Sequence, residues 1–245
     1  MFPKWDKGTV MEFNVDYDHR LDSRGQDPDT HSPTLKSQHQ LLWSKPLPNG
    51  TLFDLQPERG KYLVHKSNLG EFHLSSDTIS HSLRDQKRMK FLIDQIPAAE
   101  LDEFQSIGSV IGAKILFPGN RIDGQATINA ARGFSSRLND RFDLSLECIR
   151  LHYLGNSNPL EPTLSLYSEF FRLFENFEGY VQFFLLQDLV SENCTEVKFF
   201  LPHDSSFEGS PRPDSVDSYM QYKNNTIDFV KARNSRIQSW VEANL

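Results

Sequence analysis

The chain has only two cysteines, Cys148 and Cys194, which excludes a scaffold built on several disulfides. Its longest apolar stretches, residues 107–118 and 180–190, fall short of the ~20 residues that a membrane-spanning helix requires. Residues 1–12 have no apolar core of the kind found in secretory signals. We therefore expect a reduced, cytoplasmic protein with no membrane association.

The sequence also lacks the short motifs that identify common reactions. It contains neither of the glycine-rich phosphate-binding patterns, Gly-x-x-x-x-Gly-Lys-Ser/Thr and Gly-x-Gly-x-x-Gly. Nucleophile elbows, zinc-type Cys/His spacings and aromatic RNA-binding motifs are missing as well. The motifs therefore name no reaction, and they leave open whether the protein is an enzyme.

Basic residues are outnumbered by acidic ones and are unevenly distributed along the chain. The 26 Lys and Arg against 33 Asp and Glu give a net charge of -7, which argues against coating of a nucleic acid or an anionic membrane. Residues 114–150 nevertheless carry six basic and four acidic side chains, whereas residues 161–217 carry three and eleven. A locally basic segment inside an acidic chain is typical of a site for a small anion or a single nucleic-acid strand.

What the chain does have is enough apolar sequence for a core: 38% of its 245 residues are hydrophobic. The patterns predict an α+β protein, with a mainly antiparallel β half that includes one helix, followed by a mainly α-helical half. Asn49-Gly50 between apolar residues indicates a β-hairpin. Because the sequence contains no segment typical of a flexible linker, we expect residues 1–245 to pack as a single domain, with a possible soft division near residue 82.

Periodicity assigns the individual elements. The predicted strands cover residues 10–15, 51–55, 61–65, 70–74, 111–117 and 194–201. The predicted helices cover residues 34–43, 83–96, 97–104, 138–153, 160–174, 180–190 and 216–244. Eight of the 19 phenylalanines lie between residues 170 and 200, so this region is expected to form the centre of the core.

The most unusual segment, residues 117–134, carries glycine-bearing turns directly after a buried strand, where functional groups are often displayed. Helical spacing places Arg137, Arg141, Cys148 and His152 on one face of the next predicted helix. Arginine forks suit phosphate, and histidine suits proton transfer. The predicted ligand-binding residues are Asn120, Arg121, Asp123, Asn129, Arg132 and Arg137. The predicted catalytic residues are His152, Arg141 and Asp188, with Asp188 expected to pair with an arginine of the 121–141 group.

A metal site is a less favoured option. Asp16, Asp18, His19 and His31 could ligate a divalent cation, because carboxylates and imidazoles lie close together in the sequence. The calcium-loop pattern is absent, however, and Asp, Pro, Ser and Thr also build ordinary turns. The sequence therefore favours a structural loop, and the cofactor stays unknown.

Four segments carry a resemblance to a known group of proteins. They are Pro118-Gly-Asn-Arg-Ile-Asp-Gly124, Asn129-Ala-Ala-Arg-Gly-Phe134, Leu146-Glu-Cys-Ile-Arg-Leu-His-Tyr153 and Phe183-Phe-Leu-Leu-Gln-Asp-Leu189. At these segments the chain resembles a family of uncharacterised bacterial cytoplasmic proteins of unknown function, over about residues 16–236. The resemblance implies an intracellular protein and supplies no activity, cofactor or site residue.

Two hypotheses of function follow. In the first, the protein binds or acts on a phosphate-containing ligand, a nucleotide or RNA, as a ribonuclease or toxin-like factor would, through the arginine-rich loop and helix face. In the second, it is a non-catalytic binding or interaction domain whose arginines form structural ion pairs. The aromatic-rich second half could also form a homodimer interface.

Overall fold

The computed structural model describes residues 13–57, 63–80, 87–203 and 206–244. Its strands are β1 (Lys45–Pro46), β2 (Leu52–Phe53), β3 (Gln56–Pro57), β4 (Leu63–Ser67), β5 (Gly70–Thr78) and β6 (Lys114–Pro118). The first two form a hairpin, and the other four form an antiparallel sheet in the order β3-β4-β5-β6. Buried side chains alternate along the middle of β5, at Phe72, Leu74 and Ser76, so one face of the sheet lies in the core.

Helices dominate the second half. They are α1 (Pro28–His31), α2 (Pro33–Trp43), α3 (Lys90–Ile93), α4 (Ala98–Ile107), α5 (Ile128–Phe134), α6 (Phe142–Tyr153), α7 (Glu161–Leu164), α8 (Ser168–Arg172), α9 (Phe177–Phe183) and α10 (Val216–Asn244). Three 3₁₀ turns cover Ile111–Ala113, Ser165–Tyr167 and Gln187–Leu189. This distribution confirms the α+β prediction.

A buried guanidinium joins three parts of the fold. Arg233 of α10 has no solvent exposure and donates hydrogen bonds to the carbonyl oxygens of Gly112, Lys114 and Phe184 over 2.7–3.2 Å. Gly112 lies in the turn before β6, Lys114 is the first residue of β6, and Phe184 follows α9, so one side chain holds the last helix against all three.

Aromatic rings fill the centre of the helical half, as the phenylalanine-rich segment predicted. Phe174 packs against Tyr180, Phe183 and Phe184 with ring centroids 5.0–5.4 Å apart. Trp43, at the end of α2, reaches the same cluster with its ring 5.3 Å from Phe184 in an edge-on contact. Such geometry adds to the stabilisation that burial of the rings already provides.

Two predicted strands are wrong over the described residues. Residues 13–15 are irregular, while residues 10–12 lie outside the described part of the chain. In residues 194–201 there is only a single bridge, Val190 to Val197. Before it, the Asn193 side chain accepts hydrogen bonds from the backbone and hydroxyl of Thr195, a local turn that replaces pairing with a strand.

Several predicted helices are shorter than expected or interrupted. The 138–153 helix begins only at Phe142, because Asn139 and Asp140 have φ of 47° and 64° and the chain turns there. The 160–174 helix is divided into α7, a 3₁₀ turn and α8. Of the 83–96 helix, residues 83–86 lie outside the described part, and α3 is a short remainder.

The contact between α10 and the turn before β6 yields a testable expectation. A Cβ on Gly112 would lie 2.2 Å from Asn234 Oδ1 and 2.8 Å from the Val230 carbonyl oxygen, both on α10. Gly112→Ala should therefore lower the free energy of unfolding by roughly 1–3 kcal/mol, the usual cost of overpacking. Urea unfolding of the wild type and of the variant measures this difference in free energy. Gly209→Ala is the control, since a Cβ there meets nothing within 4 Å, and an equal loss in both variants would contradict the packing argument.

Candidate functional site

Arg141, predicted to be catalytic, is buried in a structural ion pair. It lies directly before α6, where its guanidinium pairs with the fully buried carboxylate of Asp143. It also donates to the carbonyl oxygens of Pro211 and Leu201 at 3.1 Å each. Asp143 in turn accepts a hydrogen bond from the Phe200 backbone at 2.8 Å. Arg141 thus holds Leu201 and Pro211 against the start of α6, and it is too deeply buried to face solvent.

Arg132, predicted to bind phosphate, is likewise enclosed. Its guanidinium pairs with Asp77 of β5 and donates to Ser145 Oγ at 2.7 Å and to the Asp140 carbonyl oxygen at 3.1 Å. Burial raises the pKa of Asp77 to about 7 even though Arg132 opposes this, and the charge of Asp140 adds to the rise. Arg132 therefore joins β5 to α6 through Asp77 and Ser145. Because it is fully buried, it does not face solvent.

His152 and Asp188 complete other contacts. His152 Nδ1 lies 3.1 Å from Glu161, and its ring packs edge-on against Phe171. Asp188 pairs with Arg236 of α10 at 2.8 Å, so the expected partner from the 121–141 group was wrong. The reason is that Asp188 lies on a 3₁₀ turn that packs against α10. In the described part of the chain, no hydrogen bond or ion pair joins Arg141, His152 and Asp188 to one another.

The other predicted ligand-binding residues do not share one arrangement. Asn129 donates to Ser75 Oγ at 3.3 Å and to the Ser76 carbonyl oxygen at 3.4 Å, so it anchors α5 to β5. The Asn120 carbonyl oxygen accepts a hydrogen bond from the Tyr167 hydroxyl at 2.7 Å. The remaining three residues of the set are exposed: Arg121, Asp123 and Arg137. Arg137 also precedes α6, so it does not share a helix face with His152.

The metal option is not supported. His19 is fully buried between the Ser109 carbonyl oxygen at 2.6 Å and Gln38 Oε1 at 2.8 Å. Asp18 pairs with Arg20, and Asp16 accepts a hydrogen bond from Asn234. His31 is exposed on α1 with its ring near the Asp27 carbonyl oxygen. Within the described ranges, no group of three or more His, Cys, Asp or Glu side chains is placed to hold a metal ion.

The structure instead contains a cavity of about 420 Å³ that sequence patterns did not predict. One wall is the β1 strand and its turn, the second is α9, and the third is the last two turns of α10. Its lining includes Lys45, Phe183 and Trp240 together with the polar side chains Asn176, Glu178, Gln182 and Asn244. Gly179 allows the close approach of the first two walls, since a Cβ there would lie 3.1 Å from Pro48. The same Cβ would lie 2.1 Å from the Phe174 carbonyl oxygen, in the segment before α9.

Lys45 is the unusual group in this cavity. Its Nζ lies 4.8 Å from the ring centres of Trp43 and Phe183 and 5.1 Å from that of Trp240. Phe183 and Trp240 are also cavity walls, which places the amine at the cavity. No carboxylate and no hydrogen-bond acceptor of the described residues contacts Nζ, although Lys45 is only 6% exposed. Cation–π contacts are thus its sole partners there.

Burial lowers the pKa of Lys45 to about 7, and the nearby charge of Arg233 contributes. A second buried lysine, Lys223, shows the more usual arrangement, in which carboxylates pair with the ammonium. Lys223 is 1% exposed, but its ammonium pairs with Glu100 at 2.6 Å and with Glu103, and these partners outweigh burial and raise its pKa. Two features separate the lysines: Lys45 is the more strongly desolvated, and among the described residues only Lys223 has carboxylate partners.

The sequence did not reveal Lys45 as a candidate because two of the three rings around its amine, and its burial, come from distant parts of the chain. The one signal was a lysine between Trp43 and Pro46-Leu47, an apolar setting that differs from the charged turns around it. Trp240 and Phe183 are far away in sequence, and only the folded chain brings them to Nζ. A lone lysine beside a tryptophan does not by itself indicate a cavity.

Comparison with known proteins places the chain in a family. Residues 13–237 match the model of a family described as "Family of unknown function (DUF6994)", and the chain belongs to that family. No curated protein matches the chain, and no solved structure matches it either. The family has no assigned function, so the residues of this chain carry the functional argument. Across the described residues, no helix is both long enough and apolar enough to cross a membrane.

The structural role of Arg141 is testable. Arg141→Met should lower the free energy of unfolding by roughly 3–5 kcal/mol, because it leaves the Asp143 carboxylate buried without its cation. Denaturant unfolding measures the loss. Arg172→Met provides the control, since Arg172 forms an exposed pair with Glu169 that is worth ~1 kcal/mol at most. A stable Arg141→Met protein would show that the ion pair is not structural.

Lys45 should give a characteristic pH dependence of stability. In the unfolded chain its amine stays protonated up to about pH 10.5, whereas in the folded protein it loses its proton at about pH 7. Between these values the unfolded state binds more protons, so the wild type gains stability relative to Lys45→Met as pH rises, by about 1.4 kcal/mol per pH unit at most. Urea unfolding from pH 6 to 10 measures this, with exposed Lys231→Met as control. A pH-independent difference would contradict it.

Proposed function

We propose that the protein binds a small organic molecule in the cavity lined by Lys45, and that the Lys45 amine is the group the ligand contacts. The observation that carries this proposal is an amine at a cavity wall, held by three aromatic rings and contacted by no acceptor of the described residues. A buried cation without a counter-charge is costly, and such groups are concentrated at functional sites.

The size and lining of the cavity support this proposal. A volume of about 420 Å³ lies in the range of small-molecule sites. Phe183 and Trp240 offer apolar surface, while the amides of Asn176, Gln182 and Asn244 offer donors and acceptors for orientation. A ligand with an acidic or carbonyl oxygen would supply the acceptor that the described residues do not offer to Lys45.

The phosphate-ligand hypothesis has less support. The guanidinium groups of Arg132 and Arg141 bind Asp77, Asp143 and backbone carbonyl oxygens. Such contacts favour the alternative hypothesis, in which the arginines form structural ion pairs. Binding of phosphate by the exposed Arg121 and Arg137 stays a prediction, as do RNA binding, a homodimer and a cytoplasmic location. The Lys45 cavity is favoured because it combines a concave site with a reactive group.

A ligand screen on matched variants tests the proposal. Ligand-observed NMR on the purified chain would use a set of small carboxylates, phosphates, aldehydes and amines. We expect at least one class to bind, and Gln182→Trp, which narrows the cavity, to weaken that binding at least tenfold. Ser239→Trp adds the same side chain on the exposed part of α10 and should retain binding. No binding by any class, or binding that Gln182→Trp leaves unchanged, would reject the proposal.

A further inference from the structure

We propose that the Lys45 amine forms an imine with a small carbonyl compound, an aldehyde or a 2-oxo acid, that enters the cavity. This inference rests on the proposed function and names its ligand class. It stands first on geometry: Nζ lies beside the cavity walls Phe183 and Trp240, and no described carboxylate holds it in an ion pair.

The chemistry needs an amine without its third proton. An ordinary lysine is neutral in roughly one molecule in 2,500 at pH 7. For Lys45, burial and the charge of Arg233 disfavour the ammonium, and a pKa of about 7 leaves about half of the molecules neutral. A lysine desolvated in an apolar pocket is the usual activated amine for attack on carbonyl groups.

The step balances without any further reactant. The lone pair of Nζ attacks the carbonyl carbon, and the carbonyl π electrons pass to oxygen, which gives a carbinolamine after one proton moves from nitrogen to oxygen. Loss of the hydroxyl group with the second nitrogen proton releases one water and leaves the C=N bond. The carbonyl compound and the amine are thereby converted to an imine and water, with no oxidation or reduction.

The aromatic surroundings suit both forms of the product. A neutral imine needs no counter-ion, which matches the absence of a carboxylate at Nζ among the described residues. A protonated imine keeps its positive charge near the rings of Trp43, Phe183 and Trp240, where the ammonium now lies. The paired Lys223 offers neither condition, because Glu100 and Glu103 stabilise its ammonium.

Reductive trapping tests this inference on the full chain. The protein would be incubated with glyoxylate, and separately with benzaldehyde, in the presence of cyanoborohydride between pH 6 and 9. Intact mass and peptide mapping would then locate the alkylated amines. We expect at least one probe to label Lys45 at least tenfold faster at pH 7 than the exposed Lys90 and Lys231, and Lys223 to stay unlabelled. Lys45→Arg, which keeps a cation near the rings but cannot form the imine, should remove the fast labelling.

The outcomes separate the two proposals. Labelling of Lys45 at the rate of Lys90 or slower with both probes overturns the imine. If NMR shows that a small molecule still binds in the cavity of that protein, the proposed function stands without it. If neither labelling nor binding occurs, both proposals fail.

Discussion

The fold depends on a charge that has no carboxylate partner among the described residues. Arg233 is fully buried, yet the carbonyl oxygens of Gly112, Lys114 and Phe184 accept its hydrogen bonds. Carbonyl dipoles of two segments, residues 112–114 and the end of α9, thus replace a counter-ion. This requires the last helix, the start of β6 and the end of α9 to keep their positions. Burial lowers the pKa of this guanidinium, which is the electrostatic cost of using it as a brace.

The same brace shapes the candidate site. Trp43 lies within cation–π distance of both Arg233 and Lys45, at 5.8 and 4.8 Å. The buried guanidinium therefore adds positive potential near the Lys45 amine, and burial and this potential act in the same direction on its pKa. The lowered pKa of Lys45 is thus a consequence of how the core is assembled. Arg233, which does not line the cavity, contributes to it.

Much of the fold could be predicted from sequence, because its signals are local. Asn49-Gly50 marks the hairpin, the spacing of apolar residues marks α2 and α10, and the phenylalanine-rich segment marks the core. The site could not be predicted, since it depends on burial and on long-range pairing. Arg132 and Arg141 have the composition of a phosphate site, but Asp77 and Asp143 already occupy their donors. Part of the contrast between Lys45 and Lys223 comes from Glu100 and Glu103, which lie some 120 residues before Lys223, and part comes from the stronger desolvation of Lys45.

The cavity wall formed by Trp240 and Asn244 lies beyond residue 237, where the match to the family ends. A helix rises about 5.4 Å per turn, so a relative whose last helix stopped two turns earlier would lack this wall while keeping the residues matching Lys45 and Phe183. The longer the final helix, the more of the cavity around the Lys45 amine is closed off from solvent.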